Sequence, residues 1–140
     1  MRVLALDVGD RRIGVAVSDP TGVLATPLLA VERTDPASDV GELLRLIEEH
    51  EASEIVVGLP RTLQGDVGLQ ARKVKRFVAS LSERTDVPIA TVDERLSTVQ
   101  AERMLSESPG RRSRDRGRVD AAAAAVILQS YLDSRGPPSR

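Results

Sequence analysis

Three places in the chain put hard oxygen ligands where they could act together. Asp7 ends the apolar run Val3-Leu4-Ala5-Leu6, the pair Asp93-Glu94 ends another, and Asp120 opens an alanine-rich stretch. Taken singly, acids at strand ends and helix starts are usually caps or turn formers. As a set they suggest more, because a carboxylate closing a buried strand is costly to keep charged without a partner. The chain has no cysteine, and its one histidine, His50, lies among acids at the end of a helical stretch. Such a donor set suits Mg²⁺ or Mn²⁺ rather than zinc. These ions clamp the attacking and leaving oxygens when a phosphodiester is hydrolysed. Side chains alternate along a strand, so only one of Asp93 and Glu94 is expected to face such a site.

The cations are unevenly spread. The net charge is −1, yet between Arg103 and Arg118 there are six arginines and two acids, while Glu32 to Glu54 holds eight acids and two arginines. A basic segment in a near-neutral chain can be a footprint for nucleic acid. Arg12, Arg95, Arg111, Arg112, Arg114, Arg116 and Arg118 are the candidate phosphate contacts, and guanidinium groups grip phosphate with two prongs. Arg72, Lys73, Lys75 and Arg76 read as a solvated helix face. Phe77 and Tyr131 are the only aromatics, too few for a base-stacking platform, so any nucleic acid would be held by backbone and shape.

The elements that must position these groups follow from periodicity. Val3–Leu6, Ile13–Ser18, Leu24–Val31, Glu54–Gly58 and Pro88–Val92 read as strands, the first two joined as a hairpin across Val8–Arg12. From Asp39, Val40, Leu43, Leu44 and Ile47 recur at helical spacing, with acids on the other face. A second helix, capped by Asp66, presents Val74, Phe77, Val78 and Leu81 to the core. Ser97 and Gln100 form a capping box for a third, running to Leu105. Arg111–Arg118 is expected as an exposed flexible loop, and a last helix as Val119–Leu132. The order is α/β: three antiparallel strands, then alternating units that build a mixed five-stranded sheet flanked by helices.

A length of 140 residues fits one domain, here residues 1–134, with a disordered tail at 135–140. Hydrophobic residues make up 41% and charged residues 29%, as expected of a soluble domain. Without cysteine there are no disulfides. No apolar run reaches the roughly 18 residues of a membrane span. The N-terminus meets Asp7 too early for a secretion signal. The expected location is cytoplasmic, away from membranes, as a monomer or weak homodimer.

Four motifs carry a resemblance that runs from Val3 to about Leu132. They are Asp7-Val8-Gly9 with Arg12-Ile13-Gly14-Val15-Ala16 and Ser18-Asp19; Val57-Gly58-Leu59-Pro60; Asp93-Glu94-Arg95-Leu96-Ser97-Thr98; and Val119-Asp120. In these the chain resembles the YqgF/RuvX family of ribonuclease H-like proteins. The resemblance implies a ribonuclease H-like fold and an acidic triad of Asp7, Glu94 and Asp120 that holds the metal. It implies a nuclease maturing the 5′ end of pre-16S rRNA in ribosome biogenesis. Holliday junction resolution on branched DNA is the alternative, and a catalytically silent nucleic-acid-binding protein a third reading. Asp-x-Gly followed by Ile-Gly-Val also resembles the phosphate-binding hairpin of actin-like ATPases, but that architecture needs two such domains. The chain departs from the family pattern at Arg61-Thr62-Leu63-Gln64-Gly65-Asp66 and at Arg118, where lysine is frequent. Its fourth strand ends in Gly58-Leu59-Pro60 without the acid that related junction resolvases carry.

Overall fold

The computed structural model describes residues 2–60, 68–93 and 113–135, the side chains of 113–116 excepted. Its elements are β1 (Arg2–Val8), β2 (Arg12–Ser18), β3 (Ala25–Glu32), α1 (Pro36–Glu49), β4 (Ala52–Leu59), α2 (Leu69–Ser82), β5 (Ile89–Asp93) and α3 (Ser113–Ser134). The strands form one sheet in the order β3-β2-β1-β4-β5. β1 pairs antiparallel with β2 and parallel with β4, so the sheet is mixed, as expected.

β1 lies near the middle of the sheet and is covered on both faces. Leu4, Leu6 and Val8 enter one core with Val40, Leu43 and Leu46 of α1 and Val74, Phe77 and Leu81 of α2. Val3 and Ala5 enter a second core with Ala124, Ile127, Leu128 and Leu132 of α3. A strand buried on both faces cannot alternate polar and apolar residues, which explains its unbroken apolar run. The hairpin from β1 to β2 closes through Gly9, whose N–H donates to the Arg12 carbonyl at 2.9 Å. A Cβ on Gly9 would stand 2.9 Å from that same oxygen, so the turn needs glycine.

α1 begins one turn before the apolar spacing suggests. Asp35 caps it by accepting from the Ser38 N–H, and Pro36 sits where its missing donor costs nothing. One acid departs from the expected outer face: Asp39 is buried. α2 starts behind Gly68, not behind an Asp66 cap, and Gly68 has no side-chain cap bond. Gly68 takes an extended backbone, and glycine is a poor helix former, so the helix starts only at Leu69.

The largest correction concerns α3. Residues 113–118, expected as loop, are helical and continuous with the alanine run. Arginine is a good helix former, and extending an existing helix avoids the cost of a new nucleus. The expected helix over 97–105, the arginines at 111 and 112 and the tail 136–140 lie outside the described residues.

Candidate active site

Asp7 is the last residue but one of β1 and is partly exposed. Alternation places it on the face of Val3 and Ala5, the face that α3 covers. Its register partner on β2 is Gly14. Above Gly14 the backbone of α3 comes so close that a Cβ there would stand 2.0 Å from the Asp120 carbonyl oxygen and 2.4 Å from its carbon. Only a residue without a side chain permits this approach. The sheet and α3 therefore touch where Asp7 and Asp120 lie, one on each side of the contact.

Extension of α3 changes the reading of Asp120. It stands seven residues inside the helix, too far in to cap it. Instead, Arg12 at the start of β2 donates from Nε to Asp120 Oδ2 at 2.6 Å, and both side chains keep partial solvent contact. Arg12 shares the α3 face with Gly14, two residues on. One end of the sheet thus gathers Asp7, Gly14, Arg12 and Asp120.

The other candidates divide. Asp93 is in register with Leu59, which packs against α1 and α2, while its neighbour Val92 packs under α3. Asp93 consequently falls on the face opposite Asp7. Glu94, Arg95, Arg111 and Arg112 lie outside the described residues. Arg114 and Arg116 fall within the span of α3, and Arg118 on α3 is exposed. Among the described residues no group of three His, Cys, Asp or Glu side chains gathers as a metal set. The donors that are present, two carboxylates without sulfur or imidazole, suit a hard cation.

A second set of residues, none of them among the site candidates read from the sequence, fastens the turn that follows Asp7. Arg33 donates from Nη1 to the Gly9 carbonyl at 2.9 Å and from Nε to Asp39 Oδ2 at 3.2 Å. Its guanidinium lies 5.1 Å from the centre of the Phe77 ring. Asp39 also accepts from the Thr34 N–H at 3.0 Å. Lys73 on α2 adds an ion pair to Asp10 at 3.6 Å. Asp39 was legible in principle: it stands four residues before Leu43 and eight before Ile47, a charge inside an apolar stripe. At its far end α3 is tied down by Tyr131, whose hydroxyl donates to Glu54, and by Arg135, which pairs with Glu54 at 3.0 Å.

A family model described as RuvX, Holliday junction resolvase, matches residues 1–134. A protein of Roseiflexus sp. (strain RS-1) is 48% identical over 134 residues, covering 96% of this chain and 95% of its own. One of Desulforudis audaxviator is 46% identical over 135 residues, with 96% of each chain covered. Both are named as candidate pre-16S rRNA nucleases. Among solved structures, RuvC of T. thermophilus in complex with a Holliday junction substrate superposes with a TM-score of 0.59 at 18% identity. That match covers 96% of this chain and 95% of the other. The fowlpox virus resolvase bound to Holliday junction DNA gives 0.53 at 11% identity, covering 98% and 100%. At such identities the structures speak for the fold alone.

Proposed function

The chain belongs to the RuvX family, and we propose on that footing that it is a divalent-cation-dependent nuclease of the cytoplasm, acting in 5′ maturation of pre-16S rRNA. The observation that carries the reading is the approach of α3 to the sheet at Gly14, with Asp7 and Asp120 flanking one contact. The names of the near-full-length relatives support RNA as the substrate.

In this reading Asp7, Asp120 and Glu94 hold Mg²⁺ or Mn²⁺, Glu94 entering on the strength of its motif. The cation supplies Lewis-acid stabilisation of the charge that builds on the phosphate oxygens. The protein's own part is positional. Asp7 is fixed by a strand buried on both faces, and Asp120 by a helix seated on glycine. Rigid elements of this kind hold donors to the tolerance that catalysis needs. Arg95, Arg111, Arg112, Arg114, Arg116 and Arg118 contact the phosphate backbone and set its register without reading bases.

Resolution of branched DNA is the second reading, favoured by the description of the family model. Purified protein should be offered a pre-16S leader RNA, a four-way DNA junction and plain duplexes, with and without Mn²⁺. Metal-dependent cutting of the leader, with the junction left intact, is the expected result. Cutting of the junction alone would move the assignment to recombination. Cutting of neither, by folded and metal-loaded protein, would end the nuclease reading.

A further inference from the structure

Arg12 is an unusual neighbour for a cation site. Its guanidinium comes from the β1–β2 hairpin and reaches a carboxylate 108 residues away, at 2.6 Å. The pair is neither deeply buried nor fully exposed, with Arg12 at 19% and Asp120 at 30% of side-chain surface accessible. Two carboxylates flanking one contact repel each other when no cation is present, and a positive group beside them offsets that repulsion. When a cation arrives the relation reverses. Arg12 and a cation held by Asp120 would be like charges competing for one carboxylate.

We propose that Arg12 is a stand-in counter-ion, which holds Asp120 while the site is empty and must give up its oxygen when the divalent cation binds. This rests on the reading of Asp7 and Asp120 as cation ligands. The released guanidinium would then be open to a phosphodiester, the natural partner for its donor fork. A phosphate that draws Arg12 away from Asp120 strengthens cation binding. By linkage, the cation strengthens phosphate binding by the same factor. Arg12 is thus a positioning residue, acting through Asp120 on the order in which the site fills.

Mn²⁺ binding, read without nucleic acid by the paramagnetic signal of the free ion, separates this from a bracing role. Arg12→Gln removes the competitor and should bind Mn²⁺ more tightly, by about fivefold for a partly exposed ion pair of about 1 kcal/mol. Arg12→Lys keeps the charge and should stay near the parent. Weaker or unchanged binding in Arg12→Gln would overturn the proposal, because a residue that only braces Asp120 improves the site. If Arg12→Gln is too unstable to titrate, the parent still decides the matter. Its Arg12 Nε–H resonance should shift, and exchange faster with water, as Mg²⁺ saturates, and a signal that stays fixed would overturn the idea. Asp7→Asn is the control on the underlying reading. If it binds Mn²⁺ like the parent, the cation site itself is misassigned; if it loses binding while Arg12→Gln gains none, only the role of Arg12 falls.

Discussion

Gly14 and Asp120 are in contact through backbone alone: a Cβ on Gly14 would fall 2.0 Å from the Asp120 carbonyl oxygen. In a strand, alanine is ordinarily no worse than glycine. Here Gly14→Ala must push α3 away from β2, and overpacking of this kind costs about 1–3 kcal/mol. The displaced residue is Asp120 itself, so cleavage should fall further than the lost stability accounts for. Urea unfolding and single-turnover cleavage, measured where the variant is fully folded, test the two parts. A variant as stable and active as the parent would mean that α3 does not sit on Gly14.

The Arg33–Asp39 pair is half-buried and has an added duty. Asp39 is 2% exposed and Arg33 22%, so Asp39→Ala removes one partner of a guanidinium that keeps its bond to the Gly9 carbonyl, costing about 1–3 kcal/mol. Arg33→Met with Asp39→Leu should recover much of that stability, since apolar replacements often match a buried pair. Cleavage should fall below that of Asp39→Ala, because only the double variant takes the Arg33 donor away from the Gly9 carbonyl. Denaturant midpoints beside cleavage rates check this. Full recovery of activity in the double variant would show that the turn needs no brace from Arg33.

Asp19 should leave a mark on acid stability. The Thr21 hydroxyl, then the Leu24 and Val23 N–H groups, hold its carboxyl below the usual carboxylate range. A folded-state pKa below the unfolded value of about 3.9 means the contribution is complete above that value. It is lost as pH falls from there toward the folded pKa. Asp19→Asn should therefore have a shallower acid limb than the parent and differ least at the lowest pH. Unfolding free energies measured between pH 6 and pH 2 decide it, and identical limbs would refute the turn's role.

Much of the architecture was legible because both cores impose simple periods. Val3 to Leu6 and Ile55 to Val57 are unbroken apolar runs because both faces are covered. The hairpin through Gly9 follows from its turn chemistry. What escaped depends on contacts between distant residues. Nothing local in Ile13-Gly14-Val15 announces that a helix over a hundred residues on rests on Gly14. The charges of residues 113–118 resemble a solvated loop, yet the helix of the alanine run continues through them. Asp39 looked solvated because its partner, Arg33, lies before the helix. The acids were the clearest signal in the sequence: Asp7 is the register partner of Gly14 and Asp120 lies over Gly14, while Glu94 rests on its motif alone.

Asp7, in the proposed function, holds a cation needed to cut the phosphodiester backbone. The most direct test is Mn²⁺-dependent cleavage of a pre-16S leader RNA by Asp7→Asn, with the urea midpoint measured alongside. Loss of a metal ligand should cost more than the roughly 10–100-fold that outer partners cost. The midpoint should stay near the parent's, because the substitution keeps the shape of a partly exposed side chain. A folded Asp7→Asn that cleaves the leader at the parent's rate would show that Asp7 holds no catalytic cation.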